Sequence, residues 1–114
     1  MAKQVHGTKV QVKAFGNTYN GYLKVGVYAD QGQRAVEIIR DDGEPLTTLT
    51  VNLEQSVGLE DNQVFIKDWS ENEEIVDQIY DLGLFEDTRE RVPTGFVVAP
   101  LWELAPGVEW GGGV

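Results

Sequence analysis

The sequence predicts an α+β domain, in which an antiparallel sheet of five to six strands packs against one main helix. Two observations predict the sheet: polar and apolar residues alternate in several short runs, and glycine-containing turn signals separate those runs. A third observation predicts the helix, because apolar residues between Ser70 and Gly83 follow helical spacing. The 114 residues, 41% of them hydrophobic, are enough for one core. We therefore expect a single domain over residues 1–104, followed by a flexible C-terminal tail over residues 105–114.

Six short runs have the composition and alternation of half-buried strands. They are Thr8–Phe15, Tyr19–Tyr28, Ala35–Arg40, Leu46–Leu53, Val64–Lys67 and Gly95–Leu104. Gly16-Asn17 suits a tight reversal between the first two strands, and Asp42-Gly43 marks the loop of a second hairpin. We expect the arm after that loop to bury Leu49 and Val51.

The predicted helix spans Ser70–Gly83. Ser70 and Glu73 have the spacing of a capping box, and Gly83 suits the left-handed residue that ends a helix. The apolar stripe of this helix consists of Ile75, Val76, Ile79 and Leu82. The charged segment Glu86–Pro93 is predicted to be a loop. Pro100 has no amide hydrogen for a sheet ladder, which places the last strand at a sheet edge or at a bulge.

The formal net charge of −10 is unevenly distributed along the chain. Residues 1–29 contain four lysines and no acid, a balance of +4, whereas the remaining residues carry 19 acids against five bases, a balance of −14. Such a field repels nucleic acid and attracts basic partners. No run is apolar enough for a membrane helix, and the N-terminus lacks the apolar centre of a secretory signal. We expect a soluble protein of the cytoplasm.

Several classes of chemistry lack their usual residues. One histidine and no cysteine cannot build a zinc site, and neither a calcium loop nor a phosphate-binding glycine motif occurs. A serine nucleophile would need His6, but the serines are Ser56 and Ser70, and Ser70 is explained as a helix cap. Nineteen acids leave a catalytic carboxylate pair open without predicting one. We therefore expect no metal, no cofactor and no enzymatic activity.

The acids are concentrated in residues 71–90, where eight of them against Arg89 account for −7 of the net −10. Asp77 and Asp81 stand four residues apart and would repel each other on a helix. The run has two interpretations: a solvated face, which is the commoner case, or a surface that imitates DNA phosphates and binds Lys/Arg clefts. The candidate partner-binding residues are Glu71, Glu73, Glu74, Asp77, Asp81, Glu86 and Asp87.

The N-terminal hairpin offers the opposite charge. Lys9, Lys13 and Lys24 alternate there with Tyr22 and Tyr28, a composition found on platforms that bind single-stranded nucleic acid. The same lysines are also typical of an exposed strand that is protected against edge-to-edge pairing.

The runs VGVYADQGQRAVEII and DDGEPLTTLTVNL resemble the signature of a family of small acidic proteins of unknown function, encoded on bacterial phages and conjugative elements. The run Pro93-Thr94-Gly95-Phe96 is similar as well, so the resemblance covers roughly residues 15–104. It supplies no catalytic residues. It implies a mobile genetic element as the genomic setting, where small acidic accessory proteins often disarm host defences.

These observations favour a non-enzymatic binding protein that inhibits a host defence complex acting on nucleic acid, of the anti-CRISPR or anti-restriction type. Its partner would be a defence protein or protein–RNA complex with a basic cleft; we expect neither membrane association nor direct nucleic-acid binding, and a homodimer is compatible with the sequence. The alternative is an accessory module that binds DNA or an acidic protein through the basic hairpin. A carboxylate enzyme is the third hypothesis.

Overall fold

The computed structural model describes residues 3–28, 33–51, 59–94 and 97–111. Over these residues the protein is mostly β, with 57% strand and 8% helix. Within the described residues, helical backbone is limited to a 3-10 turn at Ser70–Asn72 and a five-residue α-helix, α1, at Val76–Tyr80. The predicted α+β class is therefore wrong, because the described part of the chain has no main helix to pack on a sheet.

The described strands form three sheets. In chain order the strands are β1 (Lys3–Gln4), β2 (Lys9–Ala14), β3 (Asn17–Val27), β4 (Arg34–Arg40), β5 (Pro45–Thr48), β6 (Gln63–Phe65), β7 (Phe85–Thr94), β8 (Val97–Leu104) and β9 (Val108–Glu109). The first sheet has the order β2-β3-β4-β5, the second has the order β6-β8-β7, and β1 pairs with β9 in parallel. An antiparallel bridge between Thr50 and Ile66 connects the first sheet to the second. Both sheets contribute side chains to one main core.

The hairpin of β2 and β3 confirms the first two predicted strands. Val10, Val12 and Ala14 are buried, and the residues between them are exposed. The reversal lies at Phe15-Gly16, one residue earlier than the predicted Gly16-Asn17, and both residues have positive φ angles of 55° and 75°. A two-residue turn of this kind matches the twist of the strands that it joins.

The second predicted hairpin also forms, with a shorter arm. The turn at residues 41–43 connects β4 to β5, and Leu49 is buried as predicted. Val51 is only half-buried, and Leu53 lies outside the described residues. The register between β4 and β5 shifts at Ile38/Ile39, so the pairing is irregular where the predicted alternation is regular.

Of two predictions about the C-terminal half, one is wrong and the other is confirmed in part. Glu86–Pro93 is not a loop, because Phe85–Thr94 forms β7, an edge strand whose charged side chains suit exposure. Of the two positions predicted for the strand of Pro100, the sheet edge is wrong because β8 is the central strand. The bulge is confirmed, because the register of β7 against β8 shifts between Asp87 and Arg91, and Arg91 stands opposite Pro100. The missing amide hydrogen is tolerated there because β6 ends at this level, where Ile66 N donates to Pro100 O at 2.8 Å. Arg89 lies in the facing irregularity of β7 with a φ of 72°.

The predicted helix over Ser70–Gly83 is broken. Ser70 has a φ of 60° and follows Trp69, which occupies the cap position without a side-chain hydrogen bond, so the capping box does not form. Asn72 is fully buried and binds neighbouring backbone, which holds the first turn in 3-10 geometry. Gly83 has the predicted left-handed conformation, with a φ of 79°, whereas Leu82 is exposed.

The segment after β8, predicted to be a flexible tail, packs onto the domain as far as Gly111. Residues Val108–Glu109 form β9 beside β1. Trp110 is 8% exposed, its ring packs 5.8 Å from that of Phe85, and its Nε1 donates to Asp61 O at 2.7 Å. Burial of this large aromatic ring gives the segment an apolar contact that its glycine-rich sequence conceals. Residues 112–114 lie outside the described residues.

Candidate protein-binding surface

The helical segment, which we define as residues 70–83, bridges two edge strands. On one side Gln78 accepts from Lys13 N at 2.9 Å and donates to Lys13 O at 2.8 Å, so its amide side chain pairs with the open edge of β2. On the other side the Tyr80 hydroxyl accepts from Asp87 N in β7 at 3.3 Å. The Tyr80 ring packs edge-on against Trp102, with 5.1 Å between ring centroids. The segment is short, but side-chain contacts on both sides fix its position.

Three of the seven predicted binding residues have partners inside the protein. Glu74 Oε2 accepts from Phe15 N at 3.0 Å and thereby fixes the turn of the first hairpin. Glu71 pairs with Lys67 at 2.8 Å, and this hydrogen bond, together with weaker ones from its own backbone amide and from Ser70, lowers the pKa of Glu71 to about 2. Asp87 forms a two-point pair with Arg91, at 3.0 and 2.9 Å, and that hydrogen bonding lowers the pKa of Asp87. Each of these three carboxylates therefore has a hydrogen-bond partner within the protein, and two of them are in ion pairs.

The other four predicted residues are exposed carboxylates. Glu73, Asp77, Asp81 and Glu86 form no ion pair among the residues that the structure describes. Glu73, Asp77 and Asp81 follow each other at four-residue steps, and Asp81 N donates to Asp77 O at 3.0 Å. Asp77 lies in α1 and Asp81 is its C-cap, one helical step of about 6 Å apart, whereas Glu73 lies before α1, at the end of the 3-10 turn. We call these three residues the acidic row; Glu86 lies separately, in β7.

Asp68 joins this surface although the sequence did not single it out. Burial raises the pKa of Asp68, and the nearby charges of Asp77 and Asp87 raise it further, whereas Arg91 lowers it. The interactions place Asp68 close to acids that are 9 and 19 residues away in sequence. No local pattern could have identified it, because its neighbours come from two other elements.

Replacing Asp68 with Asn should raise the melting temperature at pH 7. A raised carboxyl pKa means that the folded state binds the proton more tightly, so ionised Asp68 costs stability at neutral pH. The gain should shrink as pH falls through the raised pKa and vanish below the ordinary value of 3.8. Thermal melting at pH 7 and about pH 3 checks this, with Glu60→Gln as an exposed control. A gain that is equal at both pH values would contradict it.

The basic hairpin face is partly neutralised by its surroundings. Lys9 Nζ lies 3.8 Å from Asp41 and 5.7 Å from the centre of the Tyr22 ring. Lys24 stands directly opposite Glu37 in the pairing of β3 with β4. The hydroxyl of Tyr28 lies 3.2 Å from both the carbonyl and the side-chain oxygens of Thr50, so this ring is committed to the domain. Acids therefore lie near two of the three lysines, which lowers the positive potential of this face.

The residues considered above for catalysis or metal binding do not form a site within the described residues. His6 Nδ1 accepts from Val25 N at 3.0 Å, where β2 no longer covers the edge of β3. Ser56 lies outside the described residues, and within them no group of three or more His, Asp or Glu side chains could hold a metal ion. An enclosed space of about 10 Å³ in the core, between Val36 and Trp102, has room for about one water molecule at most.

Comparisons with protein-family models, with curated proteins and with solved structures found no match for this chain. Within the described part of the chain, no helix is long and apolar enough to cross a membrane.

Proposed function

We propose that this protein is a non-enzymatic inhibitor that occupies the basic nucleic-acid cleft of a bacterial host defence complex. The observation that carries the proposal is the acidic row, whose carboxylates are exposed and without ion pairs among the described residues. Glu71 and Glu74, which are next to the row in sequence, do have partners, so the lack of an ion pair is not shared by all acids of the segment.

The row is also held at a cost. Asp77 and Asp81 repel each other at four-residue spacing, which destabilises a helix by about 0.2 to 0.5 kcal/mol. The segment withstands this repulsion because Gln78, Glu74 and Tyr80 bind it to the two edge strands. A row of negative charge with a fixed position competes for lysines and arginines that otherwise bind phosphate groups.

The resemblance to proteins of phages and conjugative elements supports the choice of partner. A protein encoded on such an element acts in the cytoplasm of the bacterial host, where defence nucleases meet invading DNA. The anti-CRISPR and anti-restriction classes both fit this setting. The basic-hairpin alternative is weaker, because Asp41 and Glu37 lie beside two of its three lysines.

A displacement assay tests the proposal. Purified guide RNA–nuclease complexes and type I restriction complexes are loaded with fluorescent target DNA, and the protein is titrated into each. We expect displacement from at least one complex, weakening about tenfold or more as salt rises from about 50 to about 200 mM, because charge drives the contact. Binding of the protein to the free DNA itself would instead support the basic-hairpin alternative.

A further inference from the structure

Phe15 occupies a position that its residue type does not favour. It is the first residue of the two-residue turn between β2 and β3, with a φ of 55°. Turns with positive φ at both central residues favour Asn-Gly or Asp-Gly, since a bulky side chain is strained in the left-handed region. Here the sequence has Phe-Gly.

Burial does not compensate for this strain. The side chain of Phe15 is 54% exposed, the highest exposure among the large hydrophobic residues of the described chain. An aromatic ring that breaks a local rule without packing in the core points to a role outside the fold.

The turn is nevertheless held firmly. Glu74 Oε2 accepts from Phe15 N at 3.0 Å, and Asn17 Nδ2 donates to Phe15 O at 3.2 Å. Both backbone polar groups of Phe15 are therefore bound by side chains. The ring is presented from a fixed backbone, which lowers the entropy that a partner contact must overcome.

Phe15 also adjoins the helical segment that carries the acidic row. Glu74, which binds its amide, follows Glu73 directly and precedes Asp77 by three residues. An exposed aromatic ring next to the segment that carries exposed carboxylates matches two features of a cleft for single-stranded nucleic acid. Such clefts bind phosphates through basic side chains and stack unpaired bases on apolar or aromatic ones.

We propose that Phe15 enters the base-stacking pocket of the partner's cleft while the acidic row occupies its phosphate-binding side chains. The inference rests on the proposed function and narrows the partner to a protein that binds unpaired bases. Phe15 then acts as the aromatic anchor of the interface.

The test uses Phe15→Asn, with Phe15→Tyr as the conservative variant and Val98→Thr as a control at another exposed apolar residue. The probe is a fluorescent single-stranded oligonucleotide bound to the same purified guide RNA–nuclease complex. Phe15→Asn should weaken displacement of the oligonucleotide by about tenfold to a hundredfold, the loss of one stacking contact. It should also raise the melting temperature by about a few degrees, because Asn favours this turn. Phe15→Tyr and Val98→Thr should displace like the wild type.

Three results separate the two proposals. Full displacement by Phe15→Asn, with loss on reversal of the acidic row, would overturn this inference and leave the proposed function in place. A lower melting temperature for Phe15→Asn would also overturn it, since Phe15 would then be a structural residue. Full displacement by the row reversal would overturn the proposed function, and this inference with it.

Discussion

Reversal of Glu73, Asp77 and Asp81 to lysine is expected to abolish displacement of DNA from the defence complex. The three changes turn the acidic row into a basic one and move the net charge from −10 to −4, since each adds two units. Glu74 is left unchanged because its carboxylate holds the amide of Phe15. The fold should persist, because the three side chains are exposed. The repulsion between residues 77 and 81 stays about the same, because two like-charged carboxylates are replaced by two like-charged lysines.

The control for this variant reverses three exposed acids elsewhere, Glu44, Glu60 and Glu109, and therefore has the same net charge. If the position of the charge matters, the control should retain displacement to within a few-fold, a loss that reflects weaker long-range attraction alone. Equal loss in both variants would mean that net charge acts without a specific surface. Melting curves on the same samples show whether a loss is due to unfolding.

Asn72→Leu is expected to destabilise the protein by about 3 kcal/mol or more. Asn72 is 0% exposed, and its Oδ1 accepts from Thr47 Oγ1 at 2.6 Å. Its Nδ2 donates to Thr48 O and to Lys67 O, each at 2.8 Å. Leucine has similar size but leaves all three partner groups without their hydrogen bonds, and each unsatisfied buried group costs about 1–3 kcal/mol. The midpoint of urea unfolding measures the loss.

Asn62→Leu is the matched control, because Asn62 is exposed and such surface changes usually stay within about 0.5 kcal/mol. A similar small effect for Asn72→Leu would show that the buried amide does not hold the helical segment against β5. The two proposals for the surface would then lose the rigid support on which they depend.

Local patterns predicted the strands of the first half. In β2 and β3 the alternation itself determines which side chains are buried, so Val12 and Leu23 could be placed from sequence alone. The reversal was displaced by one residue because Gly16-Asn17 has the stronger turn composition, whereas the strand pairing places Phe15 in the turn. Because of this shift, the sequence pattern places Phe15 at the end of a strand and gives no sign of its position in the turn.

Tertiary contacts decided the helical segment and the charged strand. The apolar spacing around Ile75 and Ile79 is real, and both residues are buried, but the hydrogen bonds of Asn72 prevent a continuous helix before them. β7 has little alternation to predict a strand. It forms because its backbone pairs with β8, and its charged side chains are compatible with an edge.

The sequence predicts the negative charge of the candidate surface. It does not predict which of the acids have hydrogen-bond or ion-pair partners within the protein. Pairing of Asp87 with Arg91 depends on the bulge of β7, and the contact of Glu74 with Phe15 joins residues 59 positions apart. The charges of Asp77 and Asp87, which lie in other elements, raise the pKa of Asp68, and sequence spacing gives no sign of this proximity.

Hydrogen–deuterium exchange of the protein, measured alone and bound to the defence complex from which it displaces DNA, tests the location of the interface most directly. The acidic row and the turn at Phe15-Gly16 should gain protection, because the helical segment is short and its amides exchange readily when free. Strand β9, on another part of the molecule, should remain unchanged. Protection confined to the basic hairpin face of β2 and β3, with no change at residues 73–81, would contradict the claim that the acidic row is the binding surface.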